Sequence, residues 1–374
     1  MLLSSRFTKV TSTFSLSQTR VSSRMLDNSY RWNQLFAIAI YIVFVFLIGS
    51  ASRLVRGKEI SVGDGLNEVV QSEIFEISTR HLCDHIHSIN FDQPSVEVNR
   101  WSGTQWLRSD IETVLPSAST GLLTIIYVHG NFMERNNALE RVRIVDQHLK
   151  SQADRPYRLI MLSWPSQRDR KPFRDVVTNA ESAECQSLYV AWMLQRLRQE
   201  PQVSLLGFSF GAQAVTGGLH LDSGGVIPGY ATAPSPRCDA SISYRLGLVA
   251  PALDRNWIER NGRHNFALSH VESMINLYNS RDPILRRFRF IDRLSRPIAA
   301  GFAGFTGIAA IADPRATSPL AGQSRVRQFD CGSVIGTTHS EKSYYCECPY
   351  FRAMVKHLLW KETAEATCNA INVQ

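Results

Sequence analysis

Cysteine is scarce in this chain. Seven residues in 374 are too few and too scattered for a disulfide scaffold, and the odd number leaves at least one thiol unpaired in a monomer. No second pair accompanies the C-x-C of Cys346 and Cys348 at zinc-ligand spacing, so no metal is expected there. The stretch from His81 to His87 (HLCDHIH) is richer in ligand-type side chains, but it is read as a polar segment beside the core. Internal repeats are also lacking, which disfavours solenoid and propeller architectures. The net charge of +8 permits attraction to phosphate or anionic lipid. No basic helix with interleaved aromatics accompanies that charge, so no nucleic-acid partner is expected. With 44% hydrophobic and 20% charged residues the composition is that of an ordinary globular protein.

The first 60 residues are organised differently from the rest. Residues 1–34 begin Ser/Thr-rich with scattered Arg and little apolar periodicity, and they are expected as a disordered lead. Residues 35–51 (LFAIAIYIVFVFLIGSA) carry no charge and are flanked by Arg31 before and by Arg53, Arg56 and Lys58 after. That run is expected to contact a membrane as an uncleaved anchor, although its length and Gly49-Ser50-Ala51 also fit a signal peptide, which would make the protein secreted after cleavage. Arg6, Lys9, Arg20, Arg24 and Arg31 outweigh Asp27 ahead of the run, which favours an inside N-terminus and an extracytoplasmic main domain. If Met25 is the true start, that bias shrinks or reverses. In an oxidising compartment Cys331, Cys346 and Cys348 are candidates for a disulfide near His339. Residues 52–119 are expected as an N-terminal extension, and residues 120–374 as the main folded domain.

From residue 120 the chain alternates between strand and helix signals, which predicts a mostly parallel central sheet with helices on both faces. Leu122–Val128, Arg158–Trp164 and Val203–Phe208 are short apolar runs that read as buried strands. Between them, Ala138, Val142, Val145 and Leu149 keep helical spacing, as do Ala183, Val190, Leu194 and Leu197. The third run leads into Gly207-Phe208-Ser209-Phe210-Gly211, a G-x-S-x-G between a strand and a small-residue helix. That context makes it a nucleophile elbow, in which Ser209 is held in a strained turn that needs small neighbours.

A serine hydroxyl at its ordinary pKa needs a base beside it and donors aimed at the developing oxyanion. The oxyanion hole is assigned to the backbone amides of Asn131, in the turn after the first strand, and Phe210, next to the nucleophile. His129 is read as a brace for that turn. The base is expected late in the chain. His339, in the Thr337–Ser340 loop between a strand-like run near 326–334 and the last helix, is preferred over His357, which is read as a surface residue of that helix. For the acid, Asp282 after Met274–Asn279 is preferred over Asp254 after Leu246–Ala250.

The strand-HGN-helix segment, Ser163-Trp164-Pro165-Ser166, GFSFG, the Asp282 loop and His339 together resemble the α/β-hydrolase superfamily, most closely a bacterial group of serine hydrolases with an S-W-P-S signature. The resemblance covers roughly residues 120–360. It implies an α/β-hydrolase fold, a Ser209-His339-Asp282 triad with Asn131 and Phe210 at the oxyanion, and no metal or organic cofactor. The implied reaction is hydrolysis of a carboxylic ester or related acyl bond of a small-molecule or lipid substrate through an acyl-enzyme. A serine peptidase, an acyltransferase and an inactive membrane-tethered binding protein stay open as alternatives. After Asp282 come Arg286, Arg287, Arg289, Arg293 and Arg296, then the apolar Ile298–Ile311, a segment able to cover the site, touch lipid or join the core.

Overall fold

The computed structural model describes residues 71–82, 88–167, 172–231, 243–292, 294–307 and 325–361. The expected lead (1–34), the apolar run (35–51), Met25, residues 83–87 of the histidine-rich tract, Arg293 and residues 308–311 lie outside the described residues. Among the described residues no helix is long and apolar enough to cross a membrane.

The strands are β1 (Ser72–Ser78), β2 (Glu97–Trp101), β3 (Trp106–Arg108), β4 (Leu123–Val128), β5 (Tyr157–Ser163), β6 (Val203–Phe208), β7 (Tyr244–Val249), β8 (Val271–Tyr278) and β9 (Val326–Asp330). The helices are α1 (Ile111–Val114), α2 (Arg135–Lys150), α3 (Pro172–Arg196), α4 (Phe210–Asp222), α5 (Ala300–Ala303), α6 (Gly332–Ile335), α7 (Glu341–Glu347) and α8 (Pro349–Leu358). All nine strands form one sheet in the order β3-β2-β1-β5-β4-β6-β7-β8-β9. The pairs β1/β2 and β2/β3 are antiparallel and the rest parallel.

The central strands β4, β5 and β6 are buried at every position. A strand with no solvated face must be covered on both sides, and that is why these runs read as continuous apolar stretches instead of alternating ones. Helix α2 packs against α8, and α3 against α4. From β4 the chain crosses to β5 on one side and then returns to β6 on the other, so the strand order reverses at β4. In open parallel sheets the crevice at such a reversal, beyond the carboxyl ends of the strands, is where ligands bind.

Three sequence expectations are corrected. The boundary at 119/120 does not divide the sheet: residues expected as a separate extension supply β1, β2 and β3, and β1 pairs with β5 along its whole length. His357 is buried, not a surface residue, because α8 turns that side toward β6, β7 and β8. The strand-like run near 326–334 ends at Asp330, after which α6 begins; Thr337–Ser340 is loop as expected, and α7 follows it before the last helix. The apolar run after the arginines is divided. Ala299 and Ala300 are core, while Ile298 and most of the preceding arginines, Arg286, Arg289 and Arg296, are exposed.

Candidate active site

Four carboxyl ends of parallel strands carry the candidate residues. Strand β4 runs into His129-Gly130-Asn131, β6 into Ser209, β8 into Asn279–Asp282, and β9 into the segment carrying His339. Ser209 Oγ lies 3.0 Å from His339 Nε2, and His339 Nδ1 lies 2.6 Å from Asp282 Oδ2. With Nδ1 donating to the carboxylate, Nε2 is left as the acceptor for the serine hydroxyl. Ser209 is 5% exposed, Asp282 is fully buried and the His339 side chain is 19% exposed, so solvent reaches the constellation at the imidazole.

Ser209 adopts φ 52° and ψ −120°, a conformation that L-residues other than glycine seldom take. Its neighbours explain how the turn is tolerated. A Cβ on Gly211 would stand 2.1 Å from the Val128 carbonyl oxygen, and one on Gly207 would stand 2.6 Å from Ala212 Cα. Only hydrogen at those positions lets α4 start this close to β4. Ser209 N–H donates to Val249 O, and Ser209 O accepts from Ala212 and Ala252, which pins the turn from both sides.

The first N–H groups of a helix have no intrahelical acceptor. Among the described residues no hydrogen bond engages the backbone amide of Phe210, the first residue of α4, or that of Asn131. Both expected oxyanion donors are therefore open. The Asn131 turn is braced through its side chain, whose Oδ1 accepts from the amide of Phe132 and from Asn179 Nδ2 at 2.8 and 2.7 Å. A Cβ on Gly130 would reach the Phe208 ring at 2.7 Å, so the turn lies directly against the elbow.

His129 is fully buried and acts as the expected brace. Its Nδ1 lies 2.8 Å from Gly130 O, and its Nε2 faces Arg80 Nη2 at 3.1 Å and accepts from the Trp164 amide at 3.2 Å. Two donors on Nε2 require that nitrogen to be unprotonated. Burial, with the Arg80 charge second, pushes the pKa down to about 3. The S-W-P-S loop completes the clamp. Trp164 Nε1 donates to His129 O and stacks on its ring, Ser163 Oγ accepts from Arg80 Nε at 2.7 Å, and Ser166 Oγ bonds the backbone of Met133. Arg80 went unnoticed in the sequence because nothing local marks it; only the β1/β5 pairing brings it to Ser163.

Two further residues hold the candidate base, His339. Asn279 is buried, and its Nδ2 donates to Gly336 O and Thr338 O, the backbone just ahead of His339. Glu341, two residues beyond His339, is fully enclosed: Oε1 accepts from Tyr127 at 2.6 Å and Tyr345 at 2.5 Å, and Oε2 pairs with Arg141 Nε at 3.1 Å. Burial pushes the Glu341 carboxyl above the ordinary range, with Arg141 and the two hydroxyls opposing. Asp254, the competing acid, is half-buried and its backbone pairs with Ala299, whereas the carboxylate bonded to the imidazole is that of Asp282. No group of three or more His, Cys, Asp or Glu able to hold a metal occurs among the described residues.

No family model and no curated protein matches this chain. Among solved structures it is similar to a bifunctional GH43-CE protein of Bacteroides eggerthii, with 10% identity and a TM-score of 0.23. The match spans 53% of this chain and 32% of that one, and a likeness of this size carries no argument about fold or chemistry.

Proposed function

We propose that the chain is a serine hydrolase of the α/β-hydrolase fold that cleaves a carboxylic ester or related acyl bond. The observation that carries this is the continuous chain of contacts from Ser209 Oγ through His339 to a buried carboxylate, at 3.0 and 2.6 Å, on a serine with positive φ. Ser209 Oγ attacks the carbonyl carbon while His339 Nε2 takes the hydroxyl proton, and Asp282 stabilises the imidazolium that forms. The oxyanion forms between the amides of Asn131 and Phe210. Collapse expels the alcohol, which leaves with the proton from Nε2. Water, deprotonated by the same nitrogen, then attacks the acyl-enzyme and releases the acid, returning the proton to Ser209.

The buried clamp around His129 supports a preorganised site, since donors held rigid before substrate arrives need no rearrangement in the transition state. Membrane attachment through residues 35–51, with the catalytic domain outside the cytoplasm, is part of the same proposal and rests on the charge bias around that run. The test of activity is a panel of p-nitrophenyl esters of rising chain length beside thioesters and peptide amides. Turnover of esters with no turnover of amides is expected. A chain that hydrolyses none of them and resists a fluorophosphonate probe at Ser209 is not this enzyme.

A further inference from the structure

The thiols of Cys331 and Cys348 lie 2.6 Å apart, and both residues are buried. Two unbonded thiol sulfurs in ordinary contact stand about 3.5–4 Å apart, so this pair is already within van der Waals contact. Cys331 is the residue at which β9 ends and α6 begins, and Cys348 is the junction between α7 and α8. The chain between them holds α6, the positive-φ turn at Gly336, the His339 loop and α7. The pair thus closes the segment that carries the candidate base. A metal does not account for it, since no third ligand of the right kind gathers there among the described residues. Cys346 is the local competitor, but it is exposed on α7.

We propose that Cys331 and Cys348 form a disulfide that fastens both ends of the His339 segment. The bond forms by thiol–disulfide exchange with an external disulfide such as oxidised glutathione, while the segment is still open enough for that reagent to enter. The Cys348 thiolate attacks one sulfur and expels the other as a thiolate. Cys331 then gives up its proton and attacks Cys348 Sγ, releasing the second thiol. Two protein thiols and one external disulfide become one protein disulfide and two external thiols.

Cys348 is the better nucleophile because it stands at the N-terminus of α8, where hydrogen bonding from Cys331 and from the backbone of Tyr350 and Phe351 draws its thiol down. The Cys348 contact, with burial second, pushes Cys331 the other way. The cross-link removes freedom from the unfolded chain and, in the folded one, keeps α6 and α7 from drifting apart around His339. Asn279 and Glu341 hold the inner part of the segment, so the disulfide adds the outer fastening that they do not supply.

The test uses the full chain, equilibrated with oxidised glutathione, alkylated with iodoacetamide under denaturing conditions and cut with trypsin. The expected product joins peptide 328–342 to peptide 343–352, lighter than their sum by two hydrogens. It should persist in Cys346→Ala and vanish in Cys348→Ala. Alkylation of both Cys331 and Cys348, or a link to Cys346, overturns the assignment. In the native oxidised protein, reduction by a phosphine should speed tryptic cleavage after the exposed Lys342 and lower the rate of fluorophosphonate labelling at Ser209 by about tenfold. Cleavage and labelling both unchanged by reduction overturn the fastening role. The link itself is independent of the proposed chemistry: a joined peptide with no labelling in either redox form keeps the disulfide and removes the serine hydrolase.

Discussion

Asp282 uses its two carboxylate oxygens for different tasks. Oδ2 meets His339 Nδ1 at 2.6 Å, and Oδ1 accepts the backbone N–H groups of Ile284 and Leu285 at 2.8 and 3.0 Å. The backbone bonds fix the carboxylate plane, and the plane fixes which imidazole nitrogen carries the proton. Asp282→Asn should leave the fold intact and lower kcat by about 10⁴-fold on an activated ester, because the amide can present its NH₂ to Nδ1 and so favour the wrong tautomer. Asp254→Asn should change kcat by less than about threefold, since His339 Nδ1 is already held by Asp282 Oδ2. A damaging Asp254→Asn beside a mild Asp282→Asn would sink the triad as drawn.

The positive φ of Ser209 is a local cost kept for the sake of the hydroxyl's position. Glycine adopts φ 52° without strain, so Ser209→Gly should abolish hydrolysis while raising stability by about 1 kcal/mol. Urea midpoints for wild type and variant measure this directly, and a destabilised Ser209→Gly would mean that the elbow is not strained. Gly211→Ala is the opposite case. Its Cβ would sit 2.1 Å from Val128 O, a clash with backbone that cannot swing aside, and a loss of more than about 3 kcal/mol is expected.

Much of this fold was legible because parallel strands buried on both faces leave unbroken apolar runs; β6 begins and ends where Val203–Phe208 reads. Ser209, His339 and Asp282 were each marked by a local signal: small residues around a serine, and polar loops that follow apolar runs. Strand β1 was not legible. SEIFEIS alternates in type, yet Glu76 is fully buried beneath Asn99 and Arg135, partners that lie in other elements. The same reason hid Arg80, Asn279 and Glu341. Each is an ordinary polar residue in sequence and becomes informative only when the fold brings its partners to it: the end of β5 for Arg80, the backbone ahead of His339 for Asn279, and β4 with α2 for Glu341. His357 was misplaced because helical spacing shows which residues share a side but not how far around the neighbouring strands reach.

Glu341 ties the segment of the candidate base, His339, to the core, and the cost of breaking it should appear in stability and activity together. Glu341→Ala removes a carboxylate that serves Tyr127, Tyr345 and Arg141, leaving a half-enclosed guanidinium and two buried hydroxyls without it. A destabilisation of about 3–5 kcal/mol is expected. Tyr127→Phe removes one donor only and should cost about 1 kcal/mol. Because α7 starts at Glu341, directly after the His339 loop, Tyr127→Phe should also lower kcat by several-fold with little change in KM. Equal stability of Glu341→Ala and wild type in urea would show that this cluster does not anchor the loop.

Two buried histidines should make the protein sensitive to mild acid, and the sign follows from which state binds the proton. His129 and His357 are each pushed from the ordinary value near 6.5 down to about 3, His129 by burial and Arg80, His357 by burial with Arg245 and Arg327. Above about pH 7 both are neutral folded and unfolded, and neither contributes any pH dependence. Between about 6.5 and 3 the unfolded chain takes up protons that the folded one refuses, so stability falls as pH falls through that window. At pH about 5 the loss is about 2 kcal/mol for each residue, from roughly 1.4 kcal/mol per pH unit below the ordinary value. His357→Gln keeps a side chain of similar reach that does not titrate, and it is remote from the His129 clamp in sequence and strand. The drop in unfolding free energy between pH about 7.5 and about 5 should therefore be smaller in His357→Gln than in wild type by about 2 kcal/mol. Urea denaturation at the two pH values measures it, and an equal drop in both proteins would show that His357 protonates as readily folded as unfolded.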